Sequence, residues 1–358
     1  MQKSAWLPAV LAPLVVAGAV AAPVIANAAA DPVAGKDPSA ADVIASVAQS
    51  RDAQYSGRLS QTSDLGLPEL PSGAGGSSVQ GDASDVLGLL TAPHTARVYV
   101  DGPDKQRVQL TQQLAEQDVV RNGDDVWTWD SKQRTAVHVT LPAHGDAPAA
   151  GTTTPADVAR RAIDAITPST TVSKPTAVRV AGHDAWQVTL TPKSDDTLVG
   201  SVRLAVDQQT GLPLRATVLA AGSADPAFQV GFTSLDYGAP AARLFDFTPP
   251  SGAEVTTKDL SDADHRGHAA HGDGTAADRG TPTVTGSGWD TVVELPAGSV
   301  DRPALQGDAD ASGLLDQLTK PVDGGRAVQT KLVSVYLTDD GRVFAGAVPV
   351  STLVAAAK

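Results

Sequence analysis

The chain has 358 residues, 42% hydrophobic but only 4% aromatic, with a formal charge of −13 and no cysteine. That length and apolar content suffice for two domains, or for one large domain with appendages. So acidic a chain repels phosphate backbones and anionic lipid surfaces, which argues against nucleic-acid binding. The missing cysteine excludes disulfides, Fe–S clusters, thiolate metal sites, a cysteine nucleophile and lipid attachment at an N-terminal Cys.

Residues 1–28 read as a secretory signal: Lys3, an apolar run from Ala5 to about Ala22, and Ala26-Asn27-Ala28 as an A-x-A site. The run nearly reaches the ~20 residues of a membrane span, so an uncleaved anchor is the competing reading. Pro8, Pro13 and Gly18 weaken it as a span and favour cleavage near Ala28. Either way the bulk of the chain works outside the cytoplasm, in the cell envelope or secreted.

A first domain is expected over 36–255. Ser39 and Asp42 open a short helix whose Val43, Ile44 and Val47 share a face. The stretch "YSGRLSQTSDLGL" then alternates like a strand. The Gly/Ser-rich Pro71 to Ser84 tethers an apolar patch, Val86 to Leu90, which reads as a mobile flap. From Thr95 to Leu141 the chain reads as consecutive antiparallel strands, turning at Asp101-Gly102-Pro103, Asn122-Gly123 and Ser131-Lys132. Asn122-Gly123 favours a type I′ turn, and beyond it Trp127 and Trp129 share one strand face.

A linker from Pro142 precedes a helix from Thr154 to Ile166, with Val158, Ala162, Ile163 and Ile166 in one stripe. Further strands follow. Trp186, Val188 and Leu190 share a face, as do Val202, Leu204 and Val206, and then Phe228, Val230 and Phe232. One-sided alternation of this kind argues for an α+β fold on an open antiparallel sheet with one apolar face. Residues 256–281 read as a His/Asp-rich solvated linker. The remainder, 282–358, reads as a small α+β unit with a helix near "SGLLDQL", a hairpin turning at Asp340-Gly341 and a terminal helix. At that size it is expected to dock on the first domain.

Motifs for chemistry are weak. His265, His268 and His271 have no apolar frame to converge them, so a hydrophilic linker is preferred over a metal site. "DADASG", Asp308 to Gly313, begins like a calcium loop, but its twelfth position is Thr319, and it reads better as a helix cap. No G-x-S-x-G, phosphate loop or dinucleotide fingerprint occurs, so neither an enzyme nor a cofactor is implied. What remains is geometric: an apolar sheet face, two striped helices and a Leu-rich flap. These form either a solid core or the lining of a cavity for something apolar.

The order of elements, the "VVRNGDDVWTWD" hairpin and the closing "LFDFTPPSGAEV" resemble the LolA-like family, which includes periplasmic lipoprotein carriers and MucB/RseB-type sigma-factor regulators. The resemblance covers roughly residues 36–255. It implies a half-barrel of antiparallel strands with helices in its concave apolar face, and a non-enzymatic function binding acyl chains of lipoproteins or lipids. The residues expected to line the acyl site are Trp127, Trp129, Trp186, Val188 and Leu190, with Val202, Leu204, Phe228, Val230 and Phe232. Val158 and Ile163 would join from the lid helix, and Leu87 and Leu90 from the flap. One position departs from the family: its carriers have an Arg before the Pro of the first strand turn, where this chain has Gly102. Delivery to an outer membrane is less secure on that account than binding or sensing of lipidated molecules. The other reading is an envelope interaction module with a solid core and no cavity. On that reading the C-terminal unit would contact a membrane protein partner.

Overall fold

A computed structural model of the chain describes residues 37–67, 93–112, 115–141, 167–259, 282–298 and 318–358. The signal segment, the flap, the Thr154–Ile166 helix, the three linker histidines and the "DADASG" stretch lie outside them. So does the "SGLLDQL" helix, Leu318 apart. The first unit holds helix α1 (Ala40–Gln49) and strands β1 (Gln54–Ser63), β2 (His94–Asp101), β3 (Lys105–Gln112), β4 (Ala115–Asn122), β5 (Asp125–Asp130) and β6 (Thr135–Thr140). It continues with β7 (Thr170–Val172), β8 (Thr176–Val180), β9 (His183–Pro192), β10 (Val199–Asp207), β11 (Pro213–Ala220), β12 (Pro226–Tyr237) and β13 (Glu254–Asp259).

These strands form one open sheet in the order β13-β6-β5-β4-β3-β2-β1-β12-β11-β10-β9-β7, with β8 also paired to β9. Every pairing but β13 with β6 is antiparallel, and short turns join β2 to β6 in series and β8 to β12 in series. Two pairings are long-range. β1 lies between β2 and β12, joining the two halves of the sheet. β13 returns to the far edge and runs parallel to β6, with Glu254 opposite Thr135. The segment after Val255 was expected to be linker; instead β13 carries the sheet on to Asp259.

Local chemistry explains most elements. Ser39 and Asp42 cap α1 reciprocally: Asp42 Oδ2 accepts from the Ser39 amide at 2.9 Å, and the Asp42 amide donates to Ser39 Oγ at 3.2 Å. The hairpin after Val119 turns one residue later than Asn-Gly chemistry suggests. Asn122 pairs with Asp125, and the two-residue loop is Gly123-Asp124, with φ +65° at Gly123. Positive φ at the first central residue alone is the type II′ pattern. The β8–β9 hairpin uses Ala181 (φ +50°) and Gly182 (φ +88°), both left-handed as in a type I′ turn. Alanine there carries no sequence signal for such a turn.

The second unit is a six-stranded sheet, β14 (Thr283–Thr285), β15 (Val292–Leu295), β16 (Lys320–Val322), β17 (Gly325–Gln329), β18 (Ser334–Thr338) and β19 (Val343–Gly346). Helix α2 (Val350–Ala356) buries Leu353 against a core of Tyr336, Phe344 and Val348.

Helix α1 comes so close to the β10–β11 turn that only glycine fits there. Gly211 has φ +72°, and a Cβ on it would stand 2.0 Å from the Ser46 carbonyl oxygen. Gly222, with φ +73° but nothing within 4 Å, provides a control. Gly222→Ala is expected to cost about 1 kcal/mol for its left-handed backbone alone. Gly211→Ala should cost a further ~1–3 kcal/mol because α1 must move. Urea unfolding midpoints of the two variants measure the difference.

Candidate functional site

Cross-strand register shows which expected site residues share a face. Leu204 lies opposite Val188 on one side and Ala216 on the other; Ala216 faces Val230, and Val230 faces Gln61. One row up, Leu190, Val202, Val218 and Phe228 align, and one row down Trp186 pairs with Val206. The alternation read from sequence thus assembles into a single apolar face across β9 to β12.

Two different pieces of chain cover this face. Val43 of α1, 1% exposed, packs with Val188 and Val206, while Trp186, Leu190 and Leu204 border that cluster. At the other end the covering element is the second unit. Trp289 and Leu332 join Val199, Val218, Ala220 and Ala227, with Leu190, Val202 and Phe228 packed against them. Leu190 touches both covers. Polar bonds fix the second unit in place. The Trp289 indole N–H donates to Thr170 Oγ1 at 2.8 Å, and both residues are buried. The Ala347 carbonyl accepts from the Leu198 amide and the Thr197 hydroxyl, each at 2.8 Å. Lys331 donates its amide to the Leu65 carbonyl and its ammonium to Asp64 at 2.6 Å, which holds the Asp64 carboxyl below its ordinary range. Between the covers, Leu204, Ala216 and Val230 are half-buried, and Ala216 and Val230 belong to neither cluster.

Phe232 keeps the register of Val230, lying opposite Leu59 of β1, but packs in a different cluster, with Val180, Ala185, Ala205, Leu214 and Leu235. The register between β1 and β12 slips only past it, leaving Thr233 as the extra residue.

Trp127 and Trp129 lie on the opposite face. Trp129 aligns with Asp118, Gln109, Arg97 and then Arg58 of β1, the alternates of the residues facing Val230. The expectation that both tryptophans share a cavity wall with Val188 and Val230 is therefore corrected by register. Their side is crossed instead by the closing "LFDF" segment. Phe245 is 1% exposed beside Trp127, and the Phe247 ring sits 5.5 Å from that indole. Beneath the segment, Arg107 pairs with the buried Asp118 at 2.6 Å and donates to the Leu244 carbonyl at 3.1 Å. A carboxylate so buried requires such a partner. His138 stacks on Trp127, centroids 4.3 Å apart, and its Nε2 lies 2.6 Å from Asp125 Oδ1.

Val158, Ile163, Leu87 and Leu90 lie outside the described residues, so the covers of the apolar face described here are α1 and the second unit. Among the described residues no group of three or more His, Asp or Glu is placed to hold a metal, and no helix is long and apolar enough to cross a membrane. The second unit's role as a cover had one sequence signal: at under 80 residues it was too small to satisfy itself alone.

Position under a cover sets the cost of truncation. Val188, 2% exposed beneath α1, is close-packed. Val188→Ala is expected to lose about 1–3 kcal/mol, and the half-buried Val230→Ala less than about 1 kcal/mol. Equilibrium denaturation of both variants checks the contrast.

The model of the MucB/RseB N-terminal domain family matches residues 94–258, from the first residue of β2 to one short of the end of β13. No curated protein matches the chain. Among solved structures, MucB in complex with MucA(peri) is 17% identical over 87% of this chain and 95% of its own, with a TM-score of 0.44. The MucA/MucB complex of Pseudomonas aeruginosa is 17% identical over 87% and 93%, with a TM-score of 0.42. A LolA superfamily protein of Nitrosomonas europaea is 11% identical over 59% and 98%, with a TM-score of 0.25. Residues 94–258 accordingly resemble a MucB/RseB-type N-terminal domain.

Proposed function

We propose that the protein is a non-catalytic, extracytoplasmic binder of acyl chains, a carrier of lipidated proteins or a lipid-responsive envelope regulator. The carrying observation is the half-buried strip Leu204–Ala216–Val230 on the apolar face, of which Ala216 and Val230 belong to neither covering cluster. An acyl chain needs contiguous apolar surface that is cheap to uncover, and here the neighbouring surface lies under separable pieces of chain. The family match supports the reading, because LolA-like and MucB/RseB-type proteins work outside the cytoplasm as binders and regulators. The signal-like N-terminus agrees with that location.

The interaction-module reading has its own support. Val188, Val206 and Val218 are fully covered, so at both ends the face is solid core. On that reading only the exterior of the covers meets a partner.

Titration of the mature protein with a fluorescent fatty-acyl probe separates the two. Saturable binding is expected for the wild type. Ala216→Leu and Val230→Phe, which fill the strip, should weaken it at least tenfold while leaving the unfolding midpoint within about 1 kcal/mol. In a tight core the same enlargements cost about 1–3 kcal/mol each. Absence of saturable binding, together with filled variants that unfold, would establish the solid module instead.

A further inference from the structure

On the tryptophan face, a cavity of about 310 Å³ opens beside the β4–β5 turn. Trp127, His138, Phe245 and Phe247 wall it, and Asn122, Asp125 and Asp246 bring oxygen atoms to it. We propose that this cavity is a binding site for the guanidinium of an arginine side chain presented by another molecule. It lies on the opposite face from the acyl strip and does not depend on that reading.

The chemistry of the lining selects the ligand. Among the described residues it contains two carboxylates and no Lys or Arg, so it repels anions and attracts cations. The chain's charge of −13 adds to that attraction at long range. Each carboxylate has one oxygen engaged: Asp125 Oδ1 by His138 at 2.6 Å, and Asp246 Oδ1 by the Asn122 amide at 3.5 Å. Each therefore keeps a second oxygen to accept from a ligand. Asp125, Asp246 and His138 are not placed to hold one metal ion between them, which disfavours a divalent ion. Three carbocyclic or indole walls favour a cation that is flat and weakly hydrated. Guanidinium has these properties: it stacks on aromatic faces and presents a planar fork of donors to carboxylate, whereas a lysine ammonium is a strongly hydrated point charge.

The site is also held ready. Phe245 is 1% exposed, so one wall belongs to the core. The Trp127 ring lies within 9° of parallel to His138, which Asp125 anchors in turn. A lining fixed before binding loses little side-chain freedom when the ligand arrives.

The test is a titration of the full chain with an acetylated, amidated Gly-Arg-Gly peptide, followed by NMR of the Trp127 indole N–H. Trp127→Phe identifies that resonance by its loss. Expected are saturable shifts with the arginine peptide, none with the neutral citrulline isostere, and at least tenfold weaker binding in Asp246→Asn. Asp246 is exposed, so that variant should melt with the wild type. No shift, an equal shift with citrulline, or an unaltered affinity in Asp246→Asn would overturn the site. A Gly-Lys-Gly peptide binding as tightly as the arginine one would overturn the guanidinium assignment.

Discussion

A wide apolar sheet face must be kept from water, and the arrangement of this molecule follows from how that is achieved. Strands β9 to β12 put Trp186, Val188, Leu190, Val202, Leu204, Val218, Phe228 and Val230 on one side. A ten-residue helix such as α1 is too narrow to cover four strands, since it presents only one stripe of side chains. It seals Val188 and Val206 and leaves the rest. The second unit covers the opposite end with a single large ring, Trp289, whose N–H finds Thr170 so that burying it strands no donor. Because the cover is divided, the middle of the face is the least committed part of the core.

The other face follows a different rule. There the strands carry charged and aromatic residues, and burial depends on pairing. Asp118 tolerates its position because Arg107 sits against it, and Arg107 in turn holds the Leu244 carbonyl of the closing segment. Removing the arginine would leave a buried carboxylate with no counterion, the costly case, so this ion pair ties the strap to the sheet. The strap then supplies Phe245 and Phe247 to the wall beside Trp127. A structural contact and a candidate recognition pocket thus share the same four residues of chain, Leu244 to Phe247.

What the sequence made legible was local. The capping box at Ser39, the alternation in β9, β10 and β12, and the glycine turns at 102 and 341 all depend on neighbours within a few positions, and each element stands where its pattern puts it. Alternation says which residues of one strand face together. It does not say which faces of separate strands coincide, because that depends on pairing register. Trp127 and Trp186 therefore looked equivalent, yet the count of pairings from β5 through β1 to β9 sets them on opposite sides. Phe232 continues the alternation of Phe228 and Val230, but the cluster it joins is set by strands distant in sequence. The parallel return of β13 and the seat of Trp289 are contacts between distant segments, where local pattern is silent. For the candidate strip, the wall was legible and the covers were not.

The return of β13 has a further consequence. It takes the chain to the edge of the sheet beside β6, while the second unit sits against β7 and the β9–β12 end. Both units belong to one chain, so the second unit cannot diffuse away from the first. Docking is then a first-order event, independent of how much protein is present. The Trp289 seam can be weak as a bimolecular contact and still remain closed most of the time, so it can open and reseal on its own without a second molecule to restore it.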